Sequence, residues 1–408
     1  MRKCFTLSEY FSKFLNLGLG CFSNVDVQID TAQAGGQADF EVTFKVDELK
    51  RLSGAVNTMM GNQEGSVMLG LKSPNLLGRG EKFQADYSYG TLKTNQFNVS
   101  FTKPLHGIPS HEVPPTVTVS GFQQMGEFPW SGYKELNRGL LCNLAFMSAP
   151  QVSHSLQYEA AWRNLTCLNK SSAFAVREQC GHTLKSALRH ILSVDRRDNP
   201  VFPTEGSLFR LQQEFAGIGG DVGYFKNELE TQVNVPLPGA PQVTLQGTFH
   251  CGHIKRMTSD TSEKTMTMAD RFYLGGPINV RGFEMRGLGP SSENCALGGL
   301  TYWAAGLHLY SPLPFTGPSS STAGLFDLFR LHTFFNAGNL MSHANLNGSL
   351  QQNVDLAMQN FRLVYGLGLA FKLGGIARVE LNYCVPLRTQ KTDKPSPGLQ
   401  FGVGVDFL

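Results

Sequence analysis

Charge is scarce in this chain of 408 residues: Lys, Arg, Asp and Glu make up 16% of it, with a net charge of +3 at neutral pH. The small excess is spread along the chain, and it carries no RNP, zinc-finger or basic-helix motif, so nucleic acid is not an expected partner. Long apolar runs are missing as well. None approaches the ~18 residues of a membrane-spanning helix. The first twenty residues contain Ser8, Glu9, Ser12 and Asn16 and do not read as a secretory signal peptide. The eight cysteines, Cys4, Cys21, Cys142, Cys167, Cys180, Cys251, Cys295 and Cys384, include no CxxC pair. They are expected as free thiols rather than a disulfide framework.

Motifs that carry chemistry are equally sparse. There is no GxSxG elbow and no Walker loop, and the His111-Glu112 pair lacks the second histidine of HExxH. In "HCGH", His250 and Gly252 face one way on a strand while Cys251 and His253 face the other, so no metal site is expected there. An enzyme is not expected, and neither is a cofactor.

What the chain has in quantity is glycine, 44 residues, and strictly alternating segments. In "FRLVYGLGLAFKL", Phe361, Leu363, Tyr365, Leu367, Leu369, Phe371 and Leu373 share one face, opposite Arg362, Gly366, Gly368 and Lys372. In "ARVELNYCV", Ala377, Val379, Leu381, Tyr383 and Val385 oppose Arg378, Glu380, Asn382 and Cys384. In "LQFGVGVDF", Phe401, Val403, Val405 and Phe407 oppose Gln400, Gly402, Gly404 and Asp406. One face is apolar over ~9–13 residues and the other is small or charged. Strands of a soluble sandwich are shorter, at ~5–6 residues, whereas a transmembrane β-strand needs ~9–11.

Sixteen such strands are expected, near 52–60, 64–73, 81–90, 93–102, 115–124, 137–147, 152–163, 183–194, 206–216, 222–235, 241–253, 299–311, 329–338, 361–373, 375–385 and 399–408. An even number suits a closed antiparallel barrel. The fold expected is therefore an all-β membrane protein, a 16-stranded antiparallel transmembrane barrel over 49–408.

Residues 1–48 read differently. Thr6 and Glu9 have capping-box spacing, and Leu7, Tyr10, Phe11, Phe14 and Leu15 form one apolar helical face before Gly18. Two alternating strands follow, one around Val25, Val27 and Ile29, the other around Phe40, Val42, Phe44 and Val46. The pattern predicts a small unit of helix, strand and strand.

One connection, 254–298, is far longer than a hairpin loop, and loops of that length are usually functional or disordered. It contains "YLGGPINVRGF", Tyr273 to Phe283, with three glycines and a proline framing Arg281.

Together, these residues resemble a family. "DRFYLGGPINVRGFEMRGLGP", Asp270 to Pro290, is similar to the long sixth-loop signature of the outer-membrane barrel-assembly and bacterial surface antigen family, whose tip here is Val280, Arg281, Gly282 and Phe283. "PNLLGRG", "DRRDNPVFPTEG" and "FFNAGN" resemble further motifs of that family in the same order. "YWAAGLHLYSPLPF", "ADRFYLGGP" and "IARVELNYCVP" resemble its mitochondrial branch, the barrel subunits of the sorting and assembly machinery (the SAM complex). The polypeptide-transport-associated (POTRA) domain of that family runs β-α-α-β-β. Residues 1–48 match only its last helix and two strands, and are read as a partial POTRA-like unit.

The resemblance implies that the sixth loop folds back into the barrel and that the inner wall grips Arg281. Alternation aims Glu380 into the lumen as the first-choice partner, with Asn336 and His332 also inward. The resemblance further implies a function: insertion and assembly of β-barrel precursors into the mitochondrial outer membrane, by strand exchange at a lateral seam between first and last strands. The implied partners are β-barrel precursors, other sorting and assembly subunits and the lipid bilayer. Gly54, Gly61, Gly402 and Gly404 would weaken the seam. Gln400, Gly402, Val405 and Phe407 fit the polar-x-Gly-x-x-apolar-x-apolar β-signal of mitochondrial barrels. The rivals are a passive outer-membrane transport pore and a membrane-barrel hydrolase.

Overall fold

A computed structural model describes residues 21–408 apart from 32–39, 61–64, 92–93, 106–112, 258–263, 265, 314–327, 343–354, 356–357, 374–376 and 405–406. The helix expected within residues 1–20, Gly61 and Val405 fall outside the described residues. The described residues begin with an antiparallel pair of strands, β1 (Phe22–Thr31) and β2 (Phe40–Glu48), registered Val25 to Val46 and Val27 to Phe44. It meets the following sheet where the Cys21 thiol donates to the Pro74 carbonyl at 3.2 Å.

A single 16-stranded sheet follows. Its members are β3 (Ser53–Met60), β4 (Gly65–Ser73), β5 (Lys82–Gly90), β6 (Asn95–Pro104), β7 (Thr116–Phe128), β8 (Tyr133–Ala149), β9 (Val152–Cys167), β10 (Gly181–Asp195), β11 (Gly206–Gly220), β12 (Tyr224–Leu237), β13 (Ala240–Arg256), β16 (Thr301–Pro312), β17 (Phe329–Met341), β18 (Arg362–Leu373), β19 (Ala377–Arg388) and β20 (Gly398–Gly404). Every strand pairs antiparallel with its sequence neighbour, β13 pairing with β16 across the long loop. All sixteen alternating segments are strands, with ends within four residues of the periodicity reading.

The sheet is inside out relative to a soluble protein. On β18 and β19, Tyr365, Leu367, Leu381 and Tyr383 are exposed, while Arg362, Arg378, Glu380 and Asn382 are buried. Apolar side chains facing outward and charges facing inward suit a wall with lipid on one side and a polar interior on the other. No helix among the described residues is long and apolar enough to cross a membrane, which has no bearing on crossing by strands.

Two features depart from the alternation reading. Among the described residues no ladder joins β3 to β20, so each end of the sheet keeps an unpaired edge. The last strand is described as far as Gly404, and Phe407 and Leu408 beyond it are not in a strand. Alternation put Phe407 on the lipid face with Phe401. Instead Phe401 is exposed and Phe407 is buried, with the Arg378 guanidinium 4.3 Å and the Arg281 guanidinium 5.5 Å from its ring centroid. The Phe407 ring turns in over Gly402 and Gly404, 3.4 Å from where a Cβ on either would sit. Period-2 alternation holds only while the ladder holds.

Candidate functional site

The connection between β13 and β16 turns into the sheet's concave side. Its own framework is slight: a 3-10 turn at Met268–Asp270, a two-residue hairpin of β14 (Ser291–Ser292) and β15 (Cys295–Ala296), and isolated bridges joining Phe272 to Gly299 and Leu274 to Leu288. It is held mainly by side chains that reach the wall. At the tip, Gly282 has φ +78°, a left-handed conformation that glycine adopts without strain. A Cβ there would come within 2.8 Å of the Val364 side chain, so only glycine permits so close an approach to β18. Val280 and Phe283 on either side are fully buried, in a cluster with Ala304, Phe334, Val364 and Cys384 from the wall.

Arg281 has no exposed surface. Its Nη2 and Nε donate to one oxygen of Glu380, Oε2, at 2.7 and 3.2 Å. Its Nη1 donates to Asn336 Oδ1 at 3.3 Å and to the Leu408 main-chain oxygen at 2.9 Å, and the Phe334 ring lies beneath it at 5.1 Å. Glu380 therefore receives the arginine through one oxygen, not through a two-oxygen fork. The second oxygen, Oε1, faces Arg378 Nε at 3.0 Å and accepts from the Tyr310 hydroxyl at 3.4 Å. The Arg378 contact is off line for a hydrogen bond, so Arg378 acts there as a charge. Asn382 Nδ2 completes the shell at 2.9 Å. His332 is buried one step outward, bonded to Asn382 and His308, with Nδ1 3.8 Å from Glu380.

The last strand joins the same site. Gln400 Oε1 accepts from the Gly282 amide at 2.8 Å, and its Nε2 donates to the Phe283 carbonyl at 3.0 Å. One amide side chain thus clamps the backbone on both sides of the tip. Gly402 lies against Pro277, where a Cβ would sit 3.3 Å away. Gln400, Gly402 and Phe407, grouped in the sequence only as a terminal pattern, all touch the loop or its arginine.

Sequence reasoning missed a second anchorage on the opposite wall. Asp270, at the loop's 3-10 turn, is buried and accepts from Arg163 Nη1 of β9 at 2.7 Å, the Tyr224 hydroxyl of β12 at 2.9 Å and Thr267 Oγ1 at 2.6 Å. Lys185 of β10 is 3.9 Å away and pairs with Glu214 of β11 at 2.6 Å, while Arg189 bridges Glu159 and Glu214. Burial raises the Asp270 pKa, but the Arg163 and Lys185 cations outweigh it and hold the carboxyl below its ordinary value. The signal was present: Asp270 opens the DRFYLGGP motif, and alternation turns Arg163 and Lys185 inward. What was lacking was which strands the loop faces.

A third contact fixes the far side of the loop. Arg286 lies over the rings of Tyr273 and Phe128 at 4.0 and 4.4 Å and donates to Ser131 Oγ at 2.9 Å. The "HCGH" residues stay apart, as His250 faces Glu230 and His253 bonds Thr301. The loop is thus tied to β9–β12 at its base and to β17–β20 at its tip. It crosses the interior from one wall to the other.

Residues 75–407 match the Omp85 superfamily domain. The chain is 43% identical over 395 residues to the human sorting and assembly machinery component 50 homolog, covering 96% of this chain and 81% of that one. It is 37% identical to a SAM50-like protein of Drosophila melanogaster (96% and 84% covered) and 30% identical to one of Schizosaccharomyces pombe (96% and 80% covered). Among solved structures it is similar to BamA from Haemophilus ducreyi lacking POTRA domains 1-3, with a TM-score of 0.72 at 18% identity, covering 95% of this chain and 76% of that one.

Proposed function

The chain belongs to the Omp85 superfamily, and we propose that it inserts β-barrel precursors into the mitochondrial outer membrane by exchanging strands at the seam between β3 and β20. The assembly role in that membrane rests on the kinship with sorting and assembly machinery component 50 homologs. The strand-exchange step rests on one observation: among the described residues the sheet's two end strands carry no ladder to each other, while the loop tip is bonded to β20. Unpaired strand edges template an incoming strand. In lipid every backbone polar group needs a partner, so pairing at such an edge favours insertion of the next strand. The free energy comes from the client's own folding. We assign the insertion step itself no covalent chemistry, cofactor or metal, and its partners are β-barrel precursors, other subunits of the machinery and the bilayer.

The passive-pore reading is disfavoured by the loop that crosses the interior. Deleting the tip, residues 273–283, should raise single-channel conductance, and an unaltered conductance would restore the pore as a rival. The decisive test is complementation of cells depleted of the machinery's own barrel subunit. Restored assembly of β-barrel clients is the expected result. Normal amounts of this protein in the outer membrane with no client assembly would overturn the proposal.

A further inference from the structure

β9 ends at Cys167, β10 begins at Gly181 directly after Cys180, and the two sulfurs lie 2.9 Å apart. Both residues are half-buried, so small molecules can reach them. They close the base of the loop 168–179, which carries a single helical turn at Phe174–Arg177. That loop is a cap. Its Ala173 and Val176 pack with Tyr133 and Leu165 of the wall and with Met268 and Cys295 of the inserted loop. Ser172 donates to the Gly132 carbonyl at 2.8 Å, and a Cβ at Gly132 would collide with Cys295 at 2.8 Å. Cys180 also lines a cavity of about 620 Å³ with Arg256, Lys264, Thr267 and Arg271, beside the 3-10 turn that carries Asp270. Counting strands in the up-and-down order places this rim opposite the end where β3 begins, the end that carries the β1–β2 pair.

We propose that Cys167 and Cys180 are a thiol–disulfide exchange site, oxidised by a small-molecule disulfide such as oxidised glutathione, and that the bond staples the cap over the base of the inserted loop. The Cys167 thiolate attacks one sulfur of the oxidant, forming a mixed disulfide and expelling one glutathione thiolate. Cys180 then gives up its proton and attacks Cys167 Sγ, expelling the second. Two cysteine thiols are oxidised, one small disulfide is reduced to two thiols, and the two protons end on the departing glutathiones. Burial, reinforced by the neighbouring Cys167 thiol, pushes the Cys180 thiol up to about 11, so Cys180 is a poor first nucleophile.

Oxidised glutathione is added to the full chain in membranes, free thiols are blocked, and cysteine peptides are identified by mass spectrometry. A Cys167–Cys180 bridge is expected. Trypsin has exposed sites at Lys170 and Arg177 inside the cap, so oxidised protein nicked there should run as one piece on a denaturing gel until reductant is added. Cys180→Ser should trap glutathione on Cys167, and Cys167→Ser should abolish the bridge. Both thiols blocked in every sample, fragments that separate without reductant, or no glutathione on Cys167 in the Cys180→Ser chain would each overturn the assignment. Heat-dependent gel mobility reports whether each variant still forms its barrel.

Discussion

Two nitrogens of Arg281 converge on a single oxygen of Glu380, while the other oxygen of that carboxylate faces Arg378. One buried acid thus lies between two guanidinium groups from different elements, the loop tip and β19. Removing one member of a buried pair strands the other charge at a cost of about 3–5 kcal/mol. Arg281→Ala should therefore leave the protein in the membrane but stop client assembly. Arg281→Lys should fail nearly as far, because an ammonium cannot reach Glu380, Asn336 and the Leu408 main-chain oxygen together. In a double-mutant cycle Glu380→Gln and Arg281→Ala should be strongly non-additive in barrel stability. Additive losses would locate the arginine's main partner elsewhere.

Gln400 supplies both an acceptor and a donor to the tip backbone, which neither an aliphatic side chain nor a carboxylate can do. Gln400→Leu should leave the Gly282 amide and the Phe283 carbonyl without partners, at about 1–3 kcal/mol each. Gln400→Glu should keep the first bond and set a carboxylate against the carbonyl. Hydrogen exchange at Gly282 reads this directly. It should quicken well over tenfold in the leucine variant, and an unchanged rate would show that the clamp carries no load.

Asp270 should matter as much as Arg281. Asp270→Ala leaves Arg163 with only the longer contacts to Glu135 and Glu159, at 3.7 and 4.0 Å. The loop base should then open to protease while the tip stays protected, at a stability loss of about 3–5 kcal/mol. Asp270→Asn, which retains the shape, should lose less. Equal protection of the loop in all three proteins would remove Asp270 from the anchorage.

The seam can be locked. Cysteines placed near Gly54 of β3 and Val403 of β20, scanned over neighbouring positions in a chain cleared of its native cysteines, should cross-link. Client insertion should cease and return on reduction. A closed seam that inserts clients at the normal rate would rule out lateral opening and favour membrane thinning beside it.

The strands were legible because a membrane barrel writes its two faces as strict alternation, and β18 and β19 carry that pattern without interruption. Parity alone turned Glu380 and Asn336 inward. Parity says nothing of distances across the interior, which depend on all sixteen strands together. That is why Asp270, one residue of a recognised motif, went unassigned beside Arg163 and Lys185. It also fails where pairing stops, as at Phe407. The Cys167–Cys180 contact needed the hairpin register, which no spacing in the chain reveals.

The sixteen strands are joined by fifteen ladders among the described residues, one fewer than a sealed cylinder of sixteen would have. The girth of such a wall is not set by backbone hydrogen bonding. Each added strand contributes about 4.8 Å of arc, so the perimeter can grow by a strand and shrink again without breaking a single existing ladder. Among the described residues its size is held by side chains that cross the interior, those of the inserted loop and Phe202 of the β10–β11 turn, which packs on Tyr310 and Ala370.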